Sequence, residues 1–282
     1  MPRVLQWAGM AIILGLGFTG QRLARRLLRR GEPVFAPVRG VERFRDLAHA
    51  GAVLSELRLD LPRPAGLPKN SVFVDLVPPL PPEENARLHA FIGRLEPKRI
   101  VYVSSTGVYG DHVEVNEETQ ASPNDERGRL RLDEERWVGR GSWTSLILRA
   151  AAIYGPGRGV HVAMRQGKMP RGSGSGIVSR IHVEDLAAMV EAGIFSGLEG
   201  DWPVGDEEPC ASAEIMQWCA RLWQLEETGP ATGKPTAGRR VDGARIRELL
   251  GITLNYPSWK TGIPASLQEE KASERPAEQR VR

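Results

Sequence analysis

The sequence predicts an α/β fold: a Rossmann-type doubly wound parallel sheet with a smaller C-terminal substrate domain. Three observations lead there. The apolar run Ile12-Ile13-Leu14 ends in glycines spaced G-x-G-x-x-G, at Gly15, Gly17 and Gly20. Those glycines open an amphipathic stretch with Leu23, Leu27 and Leu28 on one face and arginines on the other. Beyond it, short apolar runs alternate with helical patterns as far as Arg149.

Each glycine has a separate physical task. Gly15 permits the tight turn out of the first strand, Gly17 lets the backbone approach a pyrophosphate, and Gly20 lets the helix pack close to the sheet. The first-turn N–H groups, at Phe18, Thr19 and Gly20, then face the phosphates with the positive end of the helix dipole. Gly31 stops this helix.

The following elements come in order. Pro33 to Val38 reads as a second strand, ending at Arg39. An acidic residue near this point would suit the ribose hydroxyls of NAD. Arg39 offers instead a guanidinium fork suited to the 2′-phosphate of NADP, with Arg43 one helical turn on. Read blandly, Arg39 is a solvated loop arginine. Val41 to Ala50 reads as a helix ended by Gly51, and Ala52 to Leu57 as a third strand followed by Asp60. A proline-rich loop, residues 62–68, leads to a buried fourth strand, Ser71 to Val77, closed by Pro78 and Pro79. Pro81-Pro82 opens a helix to Leu95, and Ile100 to Ser104 is the fifth strand. Right-handed crossovers put every strand end on one edge. Asp60, Val77, Pro78 and Ser104 therefore join Gly15, Gly17, Phe18, Thr19, Gly20 and Arg39 as cofactor-binding candidates.

Composition narrows the classes. The 282 residues are 41% hydrophobic and 26% charged, ordinary for a soluble globular protein. The net charge of +3 is spread along the chain, unlike a nucleic-acid-binding stripe. Cys210 and Cys219 make neither a disulfide framework nor a zinc set, and read as reduced thiols. No run is long enough to span a membrane. The apolar start superficially resembles a secretory signal, but cleavage there would destroy the glycine motif, so the expected location is cytoplasmic. Residues 1–8 read as a loose extension.

Further motifs make a resemblance specific. Ser104-Ser105-Thr106-Gly107-Val108-Tyr109-Gly110 follows the fifth strand. Leu148-Arg149 leads into Ile153-Tyr154-Gly155-Pro156-Gly157-Arg158, and Arg180-Ile181-His182-Val183-Glu184-Asp185 comes later, followed by Trp202-Pro203-Val204-Gly205-Asp206. Val241-Asp242-Gly243-Ala244-Arg245 with Tyr256-Pro257 completes the series. Together with the glycine motif, this order resembles the extended short-chain dehydrogenases/reductases, also described as NAD-dependent epimerases/dehydratases. The resemblance runs from about residue 10 to about 264, and the late segments look most like the atypical, YeeZ-like branch. It implies that Ala151 and Ile153 touch the nicotinamide end, and that a homodimer forms through the helices after strands four and five.

In the resembled family a Ser, a Tyr and a Lys do the proton chemistry, the last two as Tyr-x-x-x-Lys on one helix face. Ser105 matches the family's Ser. The Tyr and Lys positions fall on Arg127 and Arg131, and the chain has no Tyr between Tyr109 and Tyr154 and no Lys between Lys98 and Lys168. An arginine cannot replace the Tyr as proton donor. Arg131 could still hydrogen-bond the nicotinamide ribose, and Arg127 could hold an anionic substrate or phosphate. Both also fit a solvated basic helix face. Ser105, Arg127 and Arg131 are thus the catalytic candidates. Alternative acids are His112, Glu114, Glu117, Glu118, His161 and His182, the last reading best as structural.

In the second half, residues 155–176 are rich in glycine and basic residues. They suggest a mobile substrate loop with Arg158 facing an anion, or simply a flexible surface loop. Helices are expected at Val183 to Phe195, Ala213 to Leu225 and Gly243 to Leu250, a strand at Asp201 to Val204, and a loop at Glu226 to Arg240. Residues 9–154 plus 177–205 form the expected nucleotide-binding domain, 155–176 plus 206–265 the smaller one, and 266–282 a disordered tail. Two functions stay open: an NADP- or NAD-dependent oxidoreductase or epimerase acting on a nucleotide sugar or other carbonyl compound, and a non-catalytic NADP(H)-binding sensor or interaction protein.

Overall fold

The computed structural model describes residues 9–60, 69–168, 176–225 and 238–274. The first half alternates strand and helix: β1 (Ala11–Leu14), α1 (Phe18–Arg29), β2 (Val34–Val38), α2 (Arg45–His49), β3 (Val53–Glu56), β4 (Val72–Asp75), α3 (Pro82–Leu95), β5 (Arg99–Ser105), β6 (Glu114–Val115), α4 (Glu126–Val138) and β7 (Thr144–Ala150). The second half runs β8 (Ala152–Tyr154), α5 (Val160–Arg165), β9 (Ile177–Val178), β10 (Arg180–His182), α6 (Val183–Phe195), β11 (Gly200–Val204), β12 (Cys210–Ala211), α7 (Ser212–Trp223), β13 (Arg240–Val241), α8 (Ala244–Leu250) and α9 (Trp259–Glu274).

Seven parallel strands form the central sheet in the order β3-β2-β1-β4-β5-β7-β11. Both faces are covered, which is why all four residues of β1 are buried. Ala11 and Ile13 join the core shared with α1 and α6, while Ile12 and Leu14 join the one under α3 and α4. Chain order reverses between β1 and β4, so the crevice for a ligand opens above their carboxyl ends.

Local chemistry sets the helix ends. α3 starts with proline in its first turn, where a missing N–H costs nothing, followed by Glu83 and Glu84 at the positive dipole end. Asp125 caps α4 by accepting from the Gly128 N–H at 2.6 Å. A buried ion pair then ties α4 to β7. Glu135 takes the Arg149 guanidinium at 2.7 Å, and Arg149 also reaches Tyr109 Oη at 3.3 Å and Asp201 at 2.5 Å.

Several expectations need correction. The helix expected over residues 41–50 is divided: a 3-10 turn, Val41–Phe44, precedes α2. The expected mobile loop contains structure. Gly155 and Arg158 exchange two backbone hydrogen bonds, 2.9 and 3.0 Å, and α5 follows, with Val160 and Met164 packed among Ile215, Cys219 and Trp259. Apolar residues hidden among the glycines drive that packing; residues 169–175 of the loop lie outside the described residues. The expected loop 226–240 ends in β13, which pairs with β6; residues 226–237 also lie outside. The expected disordered tail is helical from 266 to 274, as part of α9. Trp259 and Ile263 bury one face of α9 and Ser266 is inserted at 1% exposure, so the charged residues form its outer side. Residues 275–282, the proposed extension 1–8 and the proline-rich loop 62–68 lie outside the described residues.

Both cysteines are free and buried, and burial pushes each thiol up to about 11. No helix among the described residues is long and apolar enough to cross a membrane.

The α1 contact with the sheet has no slack. A Cβ on Gly20 would lie 2.2 Å from the Gly15 carbonyl oxygen. Gly20→Ala is expected to destabilise the fold by about 1–3 kcal/mol, read from the midpoint of urea unfolding.

Candidate functional site at the carboxyl edge of the sheet

The three glycines divide their work as their spacing predicts. Gly15 has φ +94°, and a Cβ there would sit 3.1 Å from the Leu76 carbonyl carbon. Gly20 is the close packing point. Gly17 is exposed, and a Cβ on it would meet no atom of the described residues within 4 Å. Packing among the described residues therefore does not require glycine at position 17. Gly17 caps α1 without any side-chain hydrogen bond, and no acidic residue occupies the first turn. Those N–H groups have no capping side chain, the arrangement in which a helix start favours negative charge. Thr19 is buried at this end, and two guanidinium groups lie near the Phe18 ring, Arg22 at 4.7 Å and Arg158 at 5.5 Å from its centre.

The other edge candidates differ in setting. Arg39 is exposed beyond β2 and enters no ion pair among the described residues. Asp60 is exposed and pairs with Arg58 at 3.6 Å. Val77 is half-buried, Pro78 exposed and Ala151 buried, with the Ala151 N–H donating to Val204 at 2.9 Å. Ile153 is half-buried in β8. Ser104 is 3% exposed, and its Oγ has no hydrogen-bond partner among the described residues.

Of the catalytic candidates, Ser105 is half-buried and its Oγ accepts the Gly107 N–H at 3.2 Å. Its own hydroxyl proton remains available to donate. Arg127 is exposed in the first turn of α4. Arg131 is half-buried, and its Nη1 donates to Tyr102 Oη at 2.9 Å and to the Val103 carbonyl at 3.1 Å. Two buried carboxyls lie in the same layer. Asp75, at the end of β4, accepts the Val77 N–H at 2.9 Å, and burial with the nearby Glu134 charge pushes it up to about 7. Glu134 accepts from Asn85 at 2.6 Å and His89 at 2.8 Å.

Beside this edge lies a cleft of about 320 Å³, lined among others by Thr106, His112, Ala152, Ser179 and Arg239. Arg239 braces its wall by donating to the carbonyls of Thr106 at 2.5 Å, Gly110, and His112 at 3.1 Å. The other two histidine candidates sit away from it. His161 is wholly buried, its Nε2 3.6 Å from Glu270, and burial lowers its pKa. His182 caps α6. Its Nδ1 accepts the Glu184 N–H at 3.3 Å, so its Nε2–H donates to Ser266 Oγ at 3.2 Å, which in turn donates to the Gly262 carbonyl at 2.7 Å. That fixes one neutral tautomer. Asp75, Tyr102, Glu134 and Arg239 escaped the sequence reading. An acid inside the apolar run Ser71 to Val77 was a legible signal for Asp75, whereas nothing local marks Arg239.

No family model matches the chain. Curated relatives align with it at 31% identity, among them a 3-diazoavenalumate denitrifying reductase from a Streptomyces species, over 46% of this chain and 49% of the relative, and protein YeeZ of Escherichia coli K12, over 56% and 59%. The chain thus spans about half the length of the curated relatives it matches. Solved structures agree over nearly its whole length. A conserved protein of unknown function from Silicibacter pomeroyi superposes with TM-score 0.78 at 27% identity, covering 93% of this chain and 99% of that one. A protein provisionally assigned as an NAD-dependent epimerase/dehydratase from Methylobacillus flagellatus gives 0.72 at 25%, covering 94% and 100%. The chain has the epimerase/dehydratase fold. A UDP-glucuronic acid 4-epimerase from Bacillus cereus, in complex with UDP-glucuronic acid and NAD, shares that fold with TM-score 0.73 at 16% identity, covering 94% and 99%.

His182 gives the site a pH signature. Burial, then the Arg22 and His161 charges, lower its pKa to about 3. The folded state refuses a proton that the unfolded chain accepts near pH 6.5. The stability from this group is complete above pH 6.5 and is lost as pH falls toward 3, by up to about 1.4 kcal/mol per unit. His182→Gln is expected to remove that slope, seen as a parent-minus-variant difference in urea midpoints that shrinks from pH 7 to pH 4.5.

Proposed function

We propose that this protein binds a nicotinamide dinucleotide along the β1/β4 crevice, NADP(H) in preference to NAD(H), and exchanges hydride with a small substrate in the adjacent cleft. One observation carries the reading: α1 begins at an exposed glycine with no side-chain cap, no acidic residue in its first turn and, among the described residues, no atom within 4 Å of where a Cβ would sit. A pyrophosphate fits that arrangement, and the unpartnered Ser104 Oγ at the end of β5 fits a hydroxylated ligand beside it. Phe18, Thr19 and Gly20 would hold the phosphates, Asp60, Val77 and Pro78 would flank the adenosine half, and Ala151 and Ile153 the nicotinamide. Arg39 supports the choice of NADP(H), since it stands at the end of β2 with no ion pair among the described residues.

When bound, the reduced cofactor supplies a hydride. Ser105, next to Thr106 of the cleft wall, would donate a hydrogen bond to a substrate carbonyl oxygen, because the Gly107 N–H occupies its acceptor side and not its proton. Arg131 would hold the ribose. His112 is the titratable sequence candidate that lines the cleft. A nucleotide sugar is one substrate class, by likeness to the Bacillus cereus epimerase complex; another reducible small molecule is the other, by likeness to the Streptomyces reductase. The absence of any Tyr or Lys in the window for the dyad supports a second reading: a protein that binds NADP(H) without turnover and signals its redox state. A homodimer through α3 and α4 and a cytoplasmic location belong to this proposal.

Calorimetric titration with NADPH and NADH tests the cofactor reading. NADPH is expected to bind more tightly, and Arg39→Asp to weaken NADPH by about 1.5–3 kcal/mol while sparing NADH. Failure of both dinucleotides to bind would overturn the reading. For the reductase reading, NADPH oxidation across a panel of carbonyl compounds is expected to fall about tenfold or more in Ser105→Ala. No oxidation with any of them, alongside tight binding, would favour the sensor.

A further inference from the structure

We infer that Tyr102 is a positioning residue for the cofactor: its hydroxyl, buried in β5, holds the Arg131 guanidinium at the carboxyl edge with three N–H groups that have no partner among the described residues. This rests on the cofactor reading above and adds to it a residue that no sequence motif marks.

The hydrogen count makes the case. Arg131 Nη1 has two hydrogens, and both are spent, one on Tyr102 Oη at 2.9 Å and one on the Val103 carbonyl at 3.1 Å. Nη2 and Nε carry the other three. A half-buried guanidinium normally finds a carboxylate. Arg131 enters no ion pair among the described residues, although two buried carboxyls share its layer. Asp75 accepts the Val77 N–H at 2.9 Å, and Glu134 takes Asn85 and His89 at 2.6 and 2.8 Å through Oε2 while its Oε1 has no partner among the described residues, so neither is in ion-pair reach of Arg131. The cation is thus held by a hydroxyl and a carbonyl, and its free donors match ribose hydroxyls.

Tyr102 has no other evident reason to be tyrosine. Its ring is fully buried among Phe91, Ile100 and Ile147, where phenylalanine would pack as well. Burial raises its pKa, so the phenol stays protonated and serves as a hydrogen-bond partner. Arginine is also long and flexible, and fixing one nitrogen in advance removes much of the ordering cost of binding. A lysine at this position of α4 would have no planar fork to divide between strand and ligand.

A double-mutant cycle on NADPH affinity, measured by calorimetry, tests the inference. Tyr102→Phe is expected to weaken NADPH about tenfold, Arg131→Gln at least as much, and the double variant no more than Arg131→Gln alone. Parent-like binding by Tyr102→Phe, or losses that multiply in the double variant, would overturn it. If Arg131→Gln binds as the parent does, the inference falls while the cofactor reading stands. If the parent binds no dinucleotide, the cofactor reading itself falls. Arginine side-chain NMR of the ligand-free parent, with Arg131 assigned by Arg131→Gln, gives a readout independent of whether Tyr102→Phe folds. Slow guanidinium rotation is expected, and free rotation would overturn the inference.

Discussion

The carboxyl edge depends on one close approach, that of Gly20 to the Gly15 carbonyl. It lets α1 start directly above the sheet, and it sets where the first-turn N–H groups point. Neither glycine tolerates a side chain, for different reasons: Gly15 through its positive φ and Gly20 through contact. Gly17 is under no such packing constraint, so its identity answers to something outside the protein's own core. Structure and site are thus written into the same six residues, but in separable positions.

A second constraint, the buried Arg149–Glu135 pair, governs the other side of the crevice. By joining α4 to β7 it fixes the helix from which Arg131 and Glu134 project. Breaking such a pair leaves a charge stranded in the core. The position of Arg131 and Glu134 thus depends on a pair buried behind them. Around them sit groups whose charge is held back by burial: a carboxyl near neutrality at Asp75, a neutral imidazole at His182, a protonated phenol at Tyr102.

What the sequence disclosed follows from the range of each interaction. The strands and main helices were legible because hydrophobic periodicity is local, and Val183 to Phe195 matches α6 residue for residue. The glycine motif was legible because backbone conformation is local as well. The interactions that failed to show were distant in sequence. Arg239 braces carbonyls about 130 residues earlier in the chain. The helical character of residues 266–274 comes from docking against β10 and α5, which composition does not report; polarity alone made that stretch look unfoldable. Tyr102 looked like one more aromatic in an apolar strand, because its partner lies on another element.

The last helix also changes how the fold comes apart. Glu269 pairs with Arg22 on α1, Glu270 accepts the Gly157 N–H at 2.6 Å, and Ser266 receives the His182 imidazole. Three elements from remote parts of the chain share one clasp. Opening α9 therefore releases the start of α1 and the glycine turn together, in a single cooperative unit rather than as a fraying end. The turn at Gly157 and the outer face of α1 are thus held through α9.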